Sequence, residues 1–128
     1  MDETMLALIA AAQAECGKFP LSEEFSAGAV AAAIRTAQGN IYTGICIDLA
    51  CGLGFCAEVA AIAAMLQRRE TQIAAVVAVS RRRILPPCGR CRETMAQIDV
   101  RNLDCQVVVG ANKVVTLREL LPEHWLLE

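Results

Sequence analysis

Two short stretches, Cys56-Ala57-Glu58 and Pro87-Cys88-Gly89-Arg90-Cys91, constrain this chain more than anything else in it. Together they supply three thiols and a carboxylate. Three protein ligands on a zinc ion leave its fourth corner to water, and such an ion brings the pKa of that water down to near neutrality. Glu58, two residues past one thiol, stands where a proton shuttle is needed. In Cys88-x-x-Cys91 the thiols fall three residues apart, on one face of a first helical turn. Cys56 opens another helical pattern, read over residues 55–69 from its Ala, Met, Leu and Gln content. Helix N-termini carry partial positive charge and unpaired N–H groups, which favour thiolate over thiol. Two helices aimed at one point would therefore present three thiolates to one metal.

Each part also has a plainer reading. A lone C-x-x-C can be a redox pair. The site could be a closed structural zinc with Cys46 or Cys51 as fourth ligand. Glu58 alone could be a solvated carboxylate favoured by a helix start. Cys16 and Cys105 read as core residues, because free Cys packs as a small hydrophobe. His124, the single histidine, is not needed as a ligand when the Cys set is complete.

The rest of the chain alternates helix and strand signals. Residues 4–16 read as a helix ended by Gly17, with Leu6, Ile9 and Gln13 competing with Leu8 and Ala12 for the apolar face. Residues 19–21 read as a loop and 22–24 as a turn or the start of a short helical one. Periodicity cannot separate strand from helix over 25–35. Gln38-Gly39-Asn40 is a turn signal, and 41–48 is a β-branched strand. Residues 50–54 form a loop with two glycines. Residues 73–80 read as a buried strand of Val and Ala. Pro86-Pro87 stops regular structure, and 88–98 is the next helix, with Pro87 at or just before its start. Strands follow at 105–110 and 113–116; the tight turn between them permits only antiparallel pairing. A helical turn at 117–121 precedes a tail with Trp125.

At 128 residues, without internal repeats or linkers, a single domain spanning 1–128 is expected. The chain is 55% hydrophobic and carries a net charge of −2, so no basic field recruits nucleic acid. Arg81-Arg82-Arg83 is either a solvated loop or a rim facing an anionic group. The acidic N-terminus lacks the basic start of a signal peptide, and the apolar run at 5–12 is far short of a membrane span. A reducing cytoplasm is expected, where seven cysteines suit metal binding better than disulfides.

Cys56-Ala57-Glu58 resembles the cytidine deaminase family of small homotetramers. Ile84-Leu85-Pro86-Pro87-Cys88-Gly89-Arg90-Cys91-Arg92 is more similar to the blasticidin-S deaminases within that family. Leu117-Arg118-Glu119-Leu120-Leu121-Pro122 followed by Trp125 points the same way. The resemblance runs from about Phe25 to the C-terminus, specific at the two zinc motifs and loose between them. It implies an α/β fold, a three-layer α/β/α sandwich with a mixed five-stranded sheet, in which 25–35 is a strand. It implies one Zn2+ per chain between the N-termini of two helices, held by Cys56, Cys88 and Cys91, with the site at the carboxyl side of adjacent first and third strands. It also implies a homotetramer acting on a small molecule, with no nucleic acid or membrane partner.

The resemblance further assigns roles around the ring of a cytosine. Glu58 would shuttle protons as water attacks C4 and ammonia leaves. The amide of Ala57 and the carbonyl of Pro86 would hold the ring. Many cytidine deaminases carry an Arg directly after the Glu to blunt the charge of three thiolates. Val59 stands there, and Arg90 is the candidate to donate to the sulfurs instead. Phe25 aligns with an aromatic near the base, or is strand-start core. Trp125 lies on a tail that covers a site, or docks on its own domain. The family's ribose-reading Asn-x-Glu is replaced by Cys46-Ile47-Asp48, so the substrate is a cytosine nucleoside or a related aminated heterocycle. Two other readings stand beside this one: a nucleic-acid editor of the same fold, and a non-catalytic zinc-binding protein.

Overall fold

The computed structural model describes residues 1–127. Helix α1 (Glu3–Glu15) begins at Asp2, whose carboxylate accepts from the Met5 N–H, an N-cap that satisfies one orphan donor of the first turn. It ends at Cys16, one residue before the glycine read as its stop. Met5, Leu8, Ile9 and Ala12 are its buried face, whereas Leu6 and Gln13 point outward. That settles the face left open by the sequence.

Five strands form the body of the sheet: β2 (Ser26–Thr36), β3 (Ile41–Asp48), β4 (Ile73–Val79), β6 (Gln106–Gly110) and β7 (Lys113–Thr116). Their order is β3-β2-β4-β6-β7. The β4–β6 pairing is parallel and the others are antiparallel, so the sheet is mixed as expected. Two strands of two residues each, β1 (Phe19–Pro20) and β5 (Ile84–Leu85), add onto β2 and β4. The sequence over residues 19–21 reads as a loop. A two-residue strand has no periodicity to detect, and only its neighbour defines it.

Helices cover both faces. Helix α1 packs its apolar stripe on Ala33, Val77, Val79 and Val108. On the opposite face, α2 (Ala57–Gln67) and α3 (Gly89–Ile98) bury Ala61, Ile62, Met65 and Met95 against Ala32, Ile34, Val76 and Val107. Three consecutive alanines, Ala31 to Ala33, are fully buried. Side chains on a strand alternate between faces, so these small residues let layers approach from both sides. Gly44 permits the closest approach: a Cβ there would lie 2.4 Å from the Ala61 amide nitrogen and 2.7 Å from the Ala57 carbonyl. Residue 44 thus seats α2 directly on β3.

A 3-10 helix at Val100–Asp104 follows α3, and the short α4 (Leu117–Leu120) follows β7. The 3-10 segment has no apolar period, so its sequence carries no helical signal. Its Asn102 is fully buried. The Asn102 amide donates to the Thr71 and Met95 carbonyls and accepts from Ile73 N–H, at 3.0, 2.9 and 2.7 Å. It locks the end of α3 to the start of β4. Strands β2 and β4 are adjacent but antiparallel, so the two have no common carboxyl side. The site instead lies at the carboxyl ends of β3 and β4 and the amino end of β2.

Candidate active site

Cys56 and Cys88 are the N-cap residues of α2 and α3, both in extended conformation, and neither side chain caps its own helix. The helices therefore start one residue after the cysteines, and α2 two residues later than its sequence pattern suggests. Phe55 is held apart from α2 by a backbone bridge to Ile47, with N–H to carbonyl distances of 3.0 and 3.1 Å. Cys91 lies in the first turn of α3 and is buried.

The two helix starts converge. The Cys56 and Cys88 sulfurs are 3.3 Å apart, and those of Cys88 and Cys91 are 3.5 Å apart. All three lie within 4.8 Å of one another. Thiolates bound tetrahedrally at about 2.3 Å from an ion stand about 3.8 Å from each other, so the cluster already has nearly the span of a zinc site. Soft thiolate donors favour zinc over hard cations. Among the described residues neither Cys46 nor Cys51 belongs to the cluster, so no fourth cysteine closes the set, and a bound ion would have a corner free for water.

Protonation follows burial more than helix polarity. Burial, the neighbouring Cys88 and the charge of Glu58 push the Cys56 thiol up to about 11. Burial and then Glu58 raise Cys91 as well. Burial also acts to raise Cys88, but backbone N–H groups from Cys91 and Arg90, with the other two thiols, bring it below the ordinary thiol range. Cys88 is thus the one of the three whose thiol is shifted toward ionisation, and a bound divalent cation would supply the charge that holds all three deprotonated.

Glu58 is 4% exposed. Burial raises its carboxyl above the usual range, opposed by its own backbone N–H and the Cys91 thiol. A carboxyl raised in this way holds a proton more readily than an exposed one, which suits proton transfer. It faces a cavity of about 650 Å³ whose walls also include Ala57, Pro86, Cys46, Ile47 and Asp48. Cys46 is nearly buried; its sulfur accepts from the Val30 N–H at 3.3 Å and its thiol faces an Asp48 carboxylate oxygen at 3.7 Å.

Among the described residues, the side chains of the other sequence candidates make no hydrogen bond to the three sulfurs of the cluster. Arg90 borders the cavity, but its side chain is exposed and makes no hydrogen bond to a sulfur among the described residues. Phe25 is half-buried and outside the cavity wall. Trp125, 69% exposed, donates from Nε1 to Glu93 at 3.0 Å on the flank of α3, also outside the wall. The three arginines 81–83 are exposed on the β4–β5 connection, where Ser80 Oγ accepts from the Arg82 and Arg83 N–H groups at 3.3 Å. Conversely, Phe55, Leu49, Val30 and Leu85 line the cavity without having been singled out. Phe55 directly precedes a ligand, and that adjacency was the available signal.

Fold and site together have the form of a zinc-binding deaminase domain. Residues 2–111 match the family model of the cytidine and deoxycytidylate deaminase zinc-binding region, and the chain belongs to that family. It binds one zinc per chain, for which Cys56, Cys88 and Cys91 are the cluster present. Among similar proteins, the cytidine deaminase of Halalkalibacterium halodurans is 32% identical over 126 residues, 95% of this chain and 92% of that one. The blasticidin-S deaminase of Bacillus cereus is 33% identical over 106 residues, 73% of this chain and 74% of that one. The crystal structure of cytidine deaminase from Mycobacterium leprae superposes with a TM-score of 0.78 at 28% identity, covering 95% of this chain and all of that one. Its Mycobacterium tuberculosis counterpart gives 0.79 at 27% identity, covering 97% and 98%. No helix among the described residues is long and apolar enough to cross a membrane.

Proposed function

We propose that this protein is a hydrolytic deaminase acting on a cytosine-containing nucleoside or a related aminated heterocycle of the cytidine or blasticidin-S kind. The observation that carries this reading is a buried carboxylate, Glu58, beside the three-thiol cluster at the wall of a cavity large enough for a heterocycle. Cys56, Cys88 and Cys91 hold the zinc, which when bound supplies an acidified water. Glu58 takes a proton from the attacking water and delivers it to the ring nitrogen next to the amino-bearing carbon. The oxygen bonds to that carbon. Glu58 then moves the second proton to the amino group, the C–N bond breaks, ammonia leaves and a ring carbonyl remains.

The Ala57 N–H and the Pro86 carbonyl, both on cavity-lining residues, hold the ring edge. Asp48 takes the far end of the substrate, where Cys46 gives no amide fork to read a sugar. Arg90 sits where its guanidinium can swing to the sulfurs or to an anionic substituent. Phe25 and Trp125 contribute to a site only through a neighbouring subunit or a moved tail. A homotetramer belongs to the same reading, and the exposed Leu49 and Leu53 are apolar surface that such an assembly would cover.

Ammonia release from the zinc-loaded protein with cytosine, cytidine, deoxycytidine and blasticidin S tests the reading. Turnover of at least one is expected. Full zinc occupancy with no release from any would overturn it in favour of a non-catalytic zinc protein. Sedimentation in solution tests the tetramer.

A further inference from the structure

The two arms of the metal site are fixed by different means. On the first arm, Cys56 follows Phe55, which is bridged to β3 through both backbone groups. The Cys56 carbonyl then accepts from the Val59 and Ala60 N–H groups. Backbone pairing alone holds it. On the second arm, Cys88 follows Pro86-Pro87, which carry no N–H and cannot be held by donating to a strand. Here one side chain does the work. Arg92 Nε donates to the Pro87 carbonyl at 2.7 Å, and the Arg92 backbone N–H donates to the Cys88 carbonyl at 3.0 Å. The carbonyls on both sides of Cys88 are therefore held by the same residue.

That residue is itself anchored. Arg92 Nη1 donates to the Leu120 carbonyl at 3.3 Å, at the end of α4, where helical carbonyls lack internal partners. Helix α4 is fixed in turn by a capping box between Thr116 and Glu119 and by the Leu117 N–H bonding the Cys105 carbonyl. Beside Arg92, Glu93 accepts from Gln97 and Trp125 and pairs with His124 Nε2 at 2.8, 3.0 and 2.8 Å. The His124 Nδ1 accepts from the Leu126 N–H at 3.2 Å, so the proton sits on Nε2 and the ring donates to Glu93.

We propose that Arg92 is a positioning residue for the zinc, tying the Cys88 arm to the C-terminal segment through a guanidinium that spans the Pro87 and Leu120 carbonyls. A lysine has the charge but no fork, and one ammonium on a flexible stem does not replace the planar geometry. Cys88 is the exposed member of the ligand set, so loosening this arm opens the ion to water and competing chelators.

The test follows zinc release from the zinc-loaded full chain into a chromophoric chelator, for wild type, Arg92→Gln, Arg92→Lys and the control Arg101→Gln. The control removes an exposed arginine fork, paired with Asp99, that is remote from the metal. Partners one bond beyond metal ligands typically change affinity 10- to 100-fold. Release at least about tenfold faster is expected for Arg92→Gln, with Arg92→Lys intermediate and the control unchanged. Cobalt-loaded Arg92→Gln should show a shifted thiolate-to-metal absorption, which general loss of stability does not produce. Wild-type release rates and an unshifted cobalt spectrum in Arg92→Gln would overturn the proposal. If Arg92→Gln does not fold, Arg92→Lys decides, and wild-type zinc release from it would overturn the need for the fork. Neither readout depends on which substrate is turned over.

Discussion

The sulfurs of Cys56 and Cys88 lie 3.3 Å apart although 32 residues separate them in the chain. Helix α2, strand β4 and the short strand β5 lie in that interval. The crossing brings one helix start beside the other on the same face of the sheet, and Cys91 completes the set from one turn further along.

Replacing Cys91 by alanine removes the buried ligand. Zinc content, measured by elemental analysis, is expected to fall from about one per chain to a small fraction, and added zinc should no longer raise the melting temperature. A ligand that binds the folded state stabilises it by an amount that grows with the logarithm of its affinity, and a site reduced to two thiols loses that leverage.

Glu58→Gln keeps the size of the side chain and removes its basicity. Zinc content is expected to be unchanged while kcat falls by about 10²–10⁴, the usual contribution of a positioned proton carrier. Ammonia release at saturating substrate checks it, and near wild-type kcat would remove Glu58 from the mechanism.

Asp48→Asn tests recognition of the far end of the substrate. A hydrogen bond to a charged group is worth about 1.5–3 kcal/mol. For a substrate that donates to this carboxylate, KM is expected to rise about tenfold or more while kcat changes little. Steady-state kinetics with substrates that have and lack a donor there separates this from a general defect.

Gly44→Ala places a methyl 2.4 Å from the Ala61 amide nitrogen. The contact is with helix backbone, so α2 must move. Overpacking of this kind costs about 1–3 kcal/mol, and α2 carries Glu58 while its start holds Cys56. Denaturant unfolding should show the lost stability, and zinc affinity should fall with it.

Acid stability should depend on Asp99. Its hydrogen bonds from the Arg101 guanidinium, with those from Arg101 N–H and Thr71, hold its carboxyl down at about 2. A group depressed in the folded state stabilises it above the unfolded pKa, near 3.8, and that contribution is lost as pH falls toward 2. Asp99→Asn should lower stability at pH 6 and show a shallower decline between pH 4 and 2 than wild type. Arg101 is largely exposed, so solvent screening keeps the difference modest.

Much of the secondary structure was legible because it rests on local signals. Residues 73–80 form a strand within one residue of its sequence pattern, and the turn at 111–112 dictates an antiparallel β6–β7 pair. What escaped was set by distant partners. The bridge between Phe55 and Ile47 keeps Phe55 out of α2, and the 3-10 turn exists because Asn102 has three buried backbone groups to satisfy.

The spacing of Cys56, Glu58, Cys88 and Cys91 by itself pointed to a three-thiol metal cluster with a carboxylate beside it, because ligand type and helical register are properties of neighbouring residues. The tertiary structure alone decided which walls enclose that chemistry. It put Cys46 against Asp48, left Phe25 and Trp125 outside the cavity, and made Arg92 the tie between the Cys88 arm and α4. Those outcomes depend on strand order and on where the chain end returns, and such long-range contacts leave no periodic trace in the order of the residues.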